Sequence, residues 1–387
     1  MSAIETPAGT PSSASTPLWR SEMALFAAVI TLIVFLCFGA NWLAAPIDNP
    51  AQSVVLFGWL FAVVLWSAFS VVRHAEALAH LLGEPLGTLI LTLSVIGIEV
   101  VMISSIMLAG DNNPSLARET MFGVLMIVMN LLVGLTLLIG GLRHHEQTFN
   151  LQGAGAYLAV ILPLAVLGLI LPTFTTSTPD ASASTLLAWF LGFACILLYG
   201  IFLGIQTMRH RGWFLPPQVE GPAGTHDYAQ EHPHMEIRSV KVHACLLVAT
   251  MIPIVLLAKY LAQFLDAGIE VAGLPAAAAG LVVALLVLTP EGLGAVRSAW
   301  NDHLMRSVNI CLGSALATIG LTIPAVLAVA AFSGRTVELG LHSVDMLLLI
   351  VTLAVSMITF GGGRTNILQG AVHLVLFMAY VVLIFDF

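Results

Sequence analysis

Thr92-Leu-Ser-Val-Ile-Gly97-Ile-Glu99-Val-Val-Met-Ile-Ser104-Ser105 sets one carboxylate in the middle of an apolar run. Leu288-Thr289-Pro290-Glu291-Gly292-Leu-Gly294 does the same in the second half of the chain. An ionised carboxylate deep in a bilayer costs about 2.5–3.5 kcal/mol on insertion scales. Two such groups require protonation, a counter-charge or a bound cation. Neither run holds a deep Lys or Arg; Arg297 follows Glu291 but lies nearer the end of its run. Protons and metal cations are therefore the natural partners. The competing reading is a permanently protonated Glu that bonds a neighbouring helix. It weakens when two Glu occupy matching places in two halves.

Working outward, the whole chain reads as membrane spans. Its 387 residues are 59% hydrophobic and only 9% charged, with a mean hydropathy of +0.99. Soluble domains carry roughly 25% charged residues. This composition excludes a soluble globular enzyme and a disordered chain. Thirteen Lys and Arg are too few for a nucleic-acid surface. Cys37, Cys195, Cys245 and Cys311 sit in apolar runs without paired spacing, so they read as small core residues, with no disulfide framework or zinc site. A span needs about 20 apolar residues. Eleven runs qualify: 22–45, 52–72, 82–109, 117–141, 156–172, 186–208, 242–265, 274–298, 304–332, 342–360 and 366–386.

Basic residues set the orientation. With eleven spans, one side collects Arg20, Arg73, Arg143, Arg209, Arg211, Arg238, Lys241, Arg297, Arg306 and Arg364, and the other only Arg118 and Arg335. This bias puts the N-terminus in the cytoplasm and the C-terminus outside. Residues 1–21, rich in Ser, Thr and Pro, read as a disordered cytoplasmic tail. The run at 22–45 reads as an extra N-terminal helix and 46–208 as a first five-helix repeat. Residues 209–241 form a cytoplasmic loop bearing His and acidic groups, and 242–387 a second five-helix repeat. The expected fold is thus an all-α polytopic membrane protein. It has eleven transmembrane helices, one preceding two inverted five-helix repeats. An odd number of spans per repeat inverts the second relative to the first, as in many secondary transporters.

The neighbourhoods of the two Glu suit a hard cation. Gly97 precedes one; Pro290, Gly292 and Gly294 surround the other and can free backbone carbonyls. Ser314, Thr318 and Thr322 follow at four-residue steps after Glu291, and Asn130 and Gly134 after Glu99. Oxygen without sulfur favours Ca²⁺, Na⁺ or H⁺. Taken singly, such residues more often pack helices or bond their own backbone.

The longer motifs carry a family resemblance. Gly140-Gly141-Leu142-Arg143-His144-His145-Glu146-Gln147-Thr148-Phe149-Asn150 is similar to a Gly-Gly-x-Arg-x-x-Glu-Gln-x-Phe-Asn segment of calcium/proton exchangers. The stretches from Val72 to Leu91 and from Gly363 to Leu374 resemble the bacterial sodium–calcium/proton antiporter type. From about Val72 onward, the chain resembles the calcium/proton antiporter family of the cation/calcium exchanger superfamily. The resemblance implies two inverted repeats behind one extra helix. It also implies that Glu99 and Glu291 bind Ca²⁺ near the midplane and exchange it for H⁺. Ser314 matches a Ser of the second repeat, and Asn130 a first-repeat Asn more loosely. Departures are Val95-Ile96-Gly97-Ile98 and Val287-Leu288-Thr289-Pro290 where the broader exchangers carry Asn, Ala317 in place of Gln, and Met126 opposite Ser314.

The expectation is an antiporter, not an enzyme, exchanging cytoplasmic Ca²⁺ and Na⁺ for external H⁺ by alternating access. The alternative is a monovalent Na⁺ or K⁺/H⁺ antiporter with little Ca²⁺ transport. No cofactor is expected; Ca²⁺, Na⁺ and H⁺ are cargo. The partners are inorganic cations and the bilayer, without nucleic acid, and a homo-oligomer is allowed. Glu99, Glu291 and Ser314 lead the candidate ligands, followed by Asn130, Thr318, Glu84 and Pro290. Glu84 lies near the cytoplasmic entrance, where a helix N-terminus explains it equally well. Glu146 and Gln147 read as capping or docking groups. His210, His226, His232 and His234 of the loop could titrate near neutral pH or bind metal, and His232 and His234 with Glu231 and Glu236 form the candidate sensor, though solvated loop histidines without a role are commoner.

Overall fold

In a bilayer every backbone N–H and C=O must be satisfied internally, so apolar runs of this length become helices. The computed structural model describes residues 21–43, 50–83, 86–109, 114–178, 181–217, 238–275 and 277–386. Glu84 and the loop histidines His226, His232 and His234 lie outside them. The described chain forms α1 (Met23–Leu43), α2 (Pro50–Leu82), α3 (Leu86–Ala109), α4 (Leu116–His144), α5 (Leu151–Phe174) and α6 (Thr185–Arg209). After the gap come α7 (Val240–Ala272), α8 (Ala277–Trp300), α9 (Leu304–Ser333), α10 (Ser343–Thr359) and α11 (Ile367–Asp386). Among the described residues, eight helices are long and apolar enough to cross a membrane. Shorter apolar stretches fall within α1 (Met23–Gly39), α3 (Thr92–Ser104) and α10.

The packing has two apolar clusters. One gathers α1, α2 and α7 through Phe35, Leu60, Val64, Leu257 and Leu261. The other joins α4, α5, α6, α9 and α10 through residues such as Met126, Ile161, Leu312 and Leu349. The helices α3 and α8 lie between them. Ile96 and Ile103 of α3 join the second cluster, while Ile98 and Met102 join the first. On α8, Leu288 and Ala295 face one way and Val283 and Leu286 the other. Helices apolar on several sides are buried ones. Glu99 and Glu291 therefore sit on the two helices held at the seam. The cysteines divide: Cys195 and Cys311 are buried, whereas Cys37 and Cys245 are exposed on the apolar exterior rather than in the core.

Polar tethers close the ends. At one end Gln147–Thr148 (β1) pairs antiparallel with Arg364–Thr365 (β2). Gln147 Nε2 donates to the Ala299 carbonyl at 3.0 Å and to Asp302 Oδ1 at 2.8 Å. Asn150 caps α5 through its Oδ1 and donates to the Gly212 carbonyl at 3.1 Å. The two long motifs of the sequence thus meet as a dock between helix ends. At the other end buried Arg118 donates to the Gly340 carbonyl at 3.0 Å, with Glu338 and Glu119 each at 3.4 Å.

α4 and α11 approach backbone to backbone. A Cβ on Gly370 would stand 2.5 Å from the Leu138 nitrogen and 2.9 Å from the Gly134 oxygen. A Cβ on Gly134 would meet Leu374 at 2.8 Å. Gly370→Val is expected to cost about 1–3 kcal/mol by overpacking and to lower the thermal midpoint of the purified protein. Gly155→Val, where a Cβ meets nothing within 4 Å, is the control.

Candidate functional site

The local sequence fixes how α3 and α8 present their carboxylates. Gly97 leaves room for Met251 of α7, whose Cε would lie 3.2 Å from a Cβ there. Gly292 lets α8 close on α4, since a Cβ would stand 2.7 Å from Leu132 Cδ2. Pro290 lies inside α8 without breaking it, and has no N–H for the carbonyl one turn earlier.

Facing them, α4 and α9 each contain a π-helical stretch, Ile127–Leu132 and Thr318–Thr322. Such segments recur at functional sites because they redirect side chains and backbone. The hydroxyls of Thr318 and Thr322 both donate to Glu99, at 2.9 Å to Oε2 and 3.2 Å to Oε1. The three side chains are sealed, Glu99 being 2% exposed and both threonines 0%. Ser314 Oγ donates to Glu291 Oε2 at 2.8 Å. Glu291 and Ser314 are only half-buried.

The structure thus brings together Glu99, Glu291, Ser314 and Thr318, adds Thr322, and places Pro290 beside Glu291. The hydroxyls divide in an unexpected way. Their common face on α9 serves two acids, with Ser314 bound to the Glu of its own half and both threonines bound to the other half. Four-residue spacing shows a face but not what lies opposite it.

Asn130 departs from the expectation. It is fully buried, yet its Nδ2 donates to Thr352 Oγ1 at 2.9 Å and its Oδ1 lies 3.3 Å from His373 Nδ1. It shows no hydrogen bond to either carboxylate. Thr352 and His373 were missed as its partners because they lie on α10 and α11, remote in sequence. Asn130 lies in the π stretch of α4, as Thr318 and Thr322 lie in that of α9, but its carboxamide is engaged elsewhere.

Chemically, two carboxylates and three hydroxyls form an all-oxygen donor set. It can hold protons or a hard cation and offers no nucleophile–base pair.

The sequence profile described as sodium/calcium exchanger protein matches residues 52–208 and 242–385. The protein y4hA of Sinorhizobium fredii is 41% identical over 373 residues, spanning 96% of this chain and 97% of its own. The sodium-potassium/proton antiporter ChaA of Escherichia coli is 38% identical over 366 residues, with 95% and 97% covered. The crystal structure of the selenium-substituted Ca²⁺/H⁺ antiporter protein YfkE matches with a TM-score of 0.69 at 19% identity. That match covers 94% of this chain and 99% of the other, and establishes a shared fold.

A hydrogen bond to a charged group contributes about 1.5–3 kcal/mol. Thr318→Val and Ser314→Ala are each expected to weaken cation binding about tenfold, since 1.4 kcal/mol is a factor of ten. Cation-dependent thermal stabilisation of the purified protein measures this. Unchanged stabilisation in both variants would remove the hydroxyls from the site.

Proposed function

The chain belongs to the sodium/calcium exchanger protein family, and from that premise we propose that it is a cation/proton antiporter exchanging cytoplasmic Ca²⁺ and Na⁺ for external H⁺. One observation carries this reading: two carboxylates from separate halves each accept hydrogen bonds from hydroxyls of one facing helix, α9, at positions one turn apart. On this reading all eleven helices cross a bacterial inner membrane, with residues 1–21 and 209–241 cytoplasmic. α2 to α6 (within 46–208) and α7 to α11 (within 242–387) are the inverted repeats, and α1 is the extra helix. The two separate stretches of the family match support that division.

Glu99 and Glu291 are the exchange groups, with Ser314, Thr318 and Thr322 as hydroxyl ligands. Deprotonated, the two acids carry two negative charges. One Ca²⁺ or two H⁺ neutralises them. The empty, doubly charged site is disfavoured by desolvation and like-charge repulsion. Only the occupied site therefore reorients at low cost, and competition for one site produces exchange rather than leak. Two protons per Ca²⁺ make the cycle electroneutral; a third would couple it to about 2.3 kcal/mol per 100 mV. Glu291, half-buried beside Ser314, is the acid that an entering ion meets first. Glu99, sealed behind the threonines, is the inner one.

A second reading is a monovalent Na⁺ or K⁺/H⁺ antiporter. The absence of any amide bond to the carboxylates among the described residues favours it, because Ca²⁺ takes six to eight oxygen ligands. The Escherichia coli relative is named for sodium and potassium, the structural neighbour YfkE for Ca²⁺. Proton flux in everted vesicles, driven separately by Ca²⁺, Na⁺ and K⁺, distinguishes the two readings. Glu99→Gln and Glu291→Gln are each expected to lower that flux at least about a hundredfold, since each removes a charge from the pair. Retained flux in both would refute the two-carboxylate exchange.

A further inference from the structure

We propose that His243 Nε2 is a second proton-binding site of the protein, apart from the carboxylate pair, and that occupying it detaches the backbone of Arg238 from α7. The chemistry of this site does not rest on the exchange reading. It lies at the end of a relay of buried groups. Glu22, just before α1, is 3% exposed, His74 of α2 is 1% exposed and His243 of α7 is 4% exposed. His74 Nε2 lies 3.0 Å from Glu22 Oε2, and the two Nδ1 atoms lie 3.1 Å apart. The Arg238 N–H donates to His243 Nε2 at 3.1 Å.

The hydrogen positions follow from that last bond. A backbone N–H can only donate, so His243 Nε2 carries no hydrogen and Nδ1 of the neutral ring does. That hydrogen is donated to His74 Nδ1, which leaves the hydrogen of His74 on Nε2, facing Glu22. Glu22 receives it as a carboxylate. Arg73 Nη2 donates to the same oxygen at 2.9 Å, and Ser21 Oγ donates to the other at 3.0 Å. Every ring nitrogen is engaged, and each junction holds one hydrogen.

A further proton has two seats in the relay. On His74 Nδ1 it would set two N–H groups against each other between buried rings. Val71 and Ala75 of α2 and Leu247 of α7, which flank those rings, are packed in one apolar cluster. On His243 Nε2 the displaced group is instead the Arg238 amide, where the half-buried chain enters α7. An amide at such a place turns to water, whereas a sealed donor loses its partner outright. The proton therefore settles on His243 Nε2. The hydrogen between the rings can then pass to His74, which brings the charge beside the Glu22 carboxylate. Glu22 favours the added charge, while Arg73 and Arg238, the other charged groups that face the rings, oppose it. Histidine takes up its proton between about pH 5 and 8. On the orientation proposed above this end is cytoplasmic, so the relay reads the compartment into which exchange would release protons. Acid there removes this tie between α7 and the end of the 209–241 segment.

The test is hydrogen exchange at the Arg238 amide of the full chain, corrected for the intrinsic pH dependence of exchange, from about pH 8 to about pH 5. In the wild-type protein the corrected rate should rise about tenfold toward acid, the effect of losing one hydrogen bond. Amides deeper in α7, such as that of Leu257, should keep their rates. His243→Leu, which offers no acceptor, should exchange fast throughout the range. Glu22→Gln keeps both rings but removes the charge that favours the proton, so the midpoint should move about one pH unit toward acid. A merely structural role of Glu22 would raise the rate without that displacement. If His243→Leu does not fold, the midpoint in Glu22→Gln carries the test. A wild-type rate without pH dependence, a step that survives in His243→Leu, a midpoint unmoved in Glu22→Gln, or deeper amides that quicken equally would each overturn the inference. None of these outcomes depends on cation flux, so the exchange reading stands or falls separately.

Discussion

A carboxylate cannot be left alone in hydrocarbon, and the structure is organised around two that are not. Glu99 and Glu291 sit on α3 and α8, the helices wedged between two apolar clusters. Burial there excludes water, which strengthens every interaction the acids make. It also makes any missing partner costly. The partners come from one helix, α9, whose π stretch sends Thr318 and Thr322 to Glu99, while Ser314 one turn earlier reaches Glu291. Side chains of α9 thus link acids from both halves. A displacement of α9 relative to α3 changes the surroundings of Glu99 directly.

Rigid ends frame this centre. The Gln147–Thr148 and Arg364–Thr365 ladder and the Gln147 bonds to Ala299 and Asp302 tie the α4–α5, α8–α9 and α10–α11 connections together. A second tether joins α1, α2 and α7. Glu22 accepts from Arg73 at 2.9 Å and lies 3.0 Å from His74 Nε2. His74 Nδ1 and His243 Nδ1 are 3.1 Å apart, and His243 Nε2 accepts the Arg238 N–H. That last bond puts the hydrogen of His243 on Nδ1, so His74 accepts there and donates to Glu22. The relay is complete only with both rings neutral. A proton added to either ring sets two donors face to face. The strap therefore joins α2 to α7 in one protonation state.

Much of this was legible in the sequence because membrane physics leaves few options. Apolar runs had to be helices, and two acids inside them had to be partnered. Glu146 and Gln147 read as capping or docking groups, and Gln147 does dock, on Ala299 and Asp302. What could not be read was distance between remote elements. Thr318 and Thr322 share a face with Ser314, yet their partner Glu99 belongs to the other half. Asn130 had the right residue type and spacing for a ligand, but His373 and Thr352, on two later helices, claim it. Periodicity describes one helix at a time, whereas a buried polar network is a property of several.

The two acids are not equivalent, and the difference follows from their partners. Glu99 receives two hydroxyl hydrogens and is sealed; Glu291 receives one and is half-buried. Each O–H donated to a carboxylate favours its charged form, while burial opposes it. Each acid thus meets its burial with at least one hydroxyl donor, so neither is left bare. A site with one strongly stabilised and one bare carboxylate would bind its ion and hold it, whereas exchange requires that both acids release.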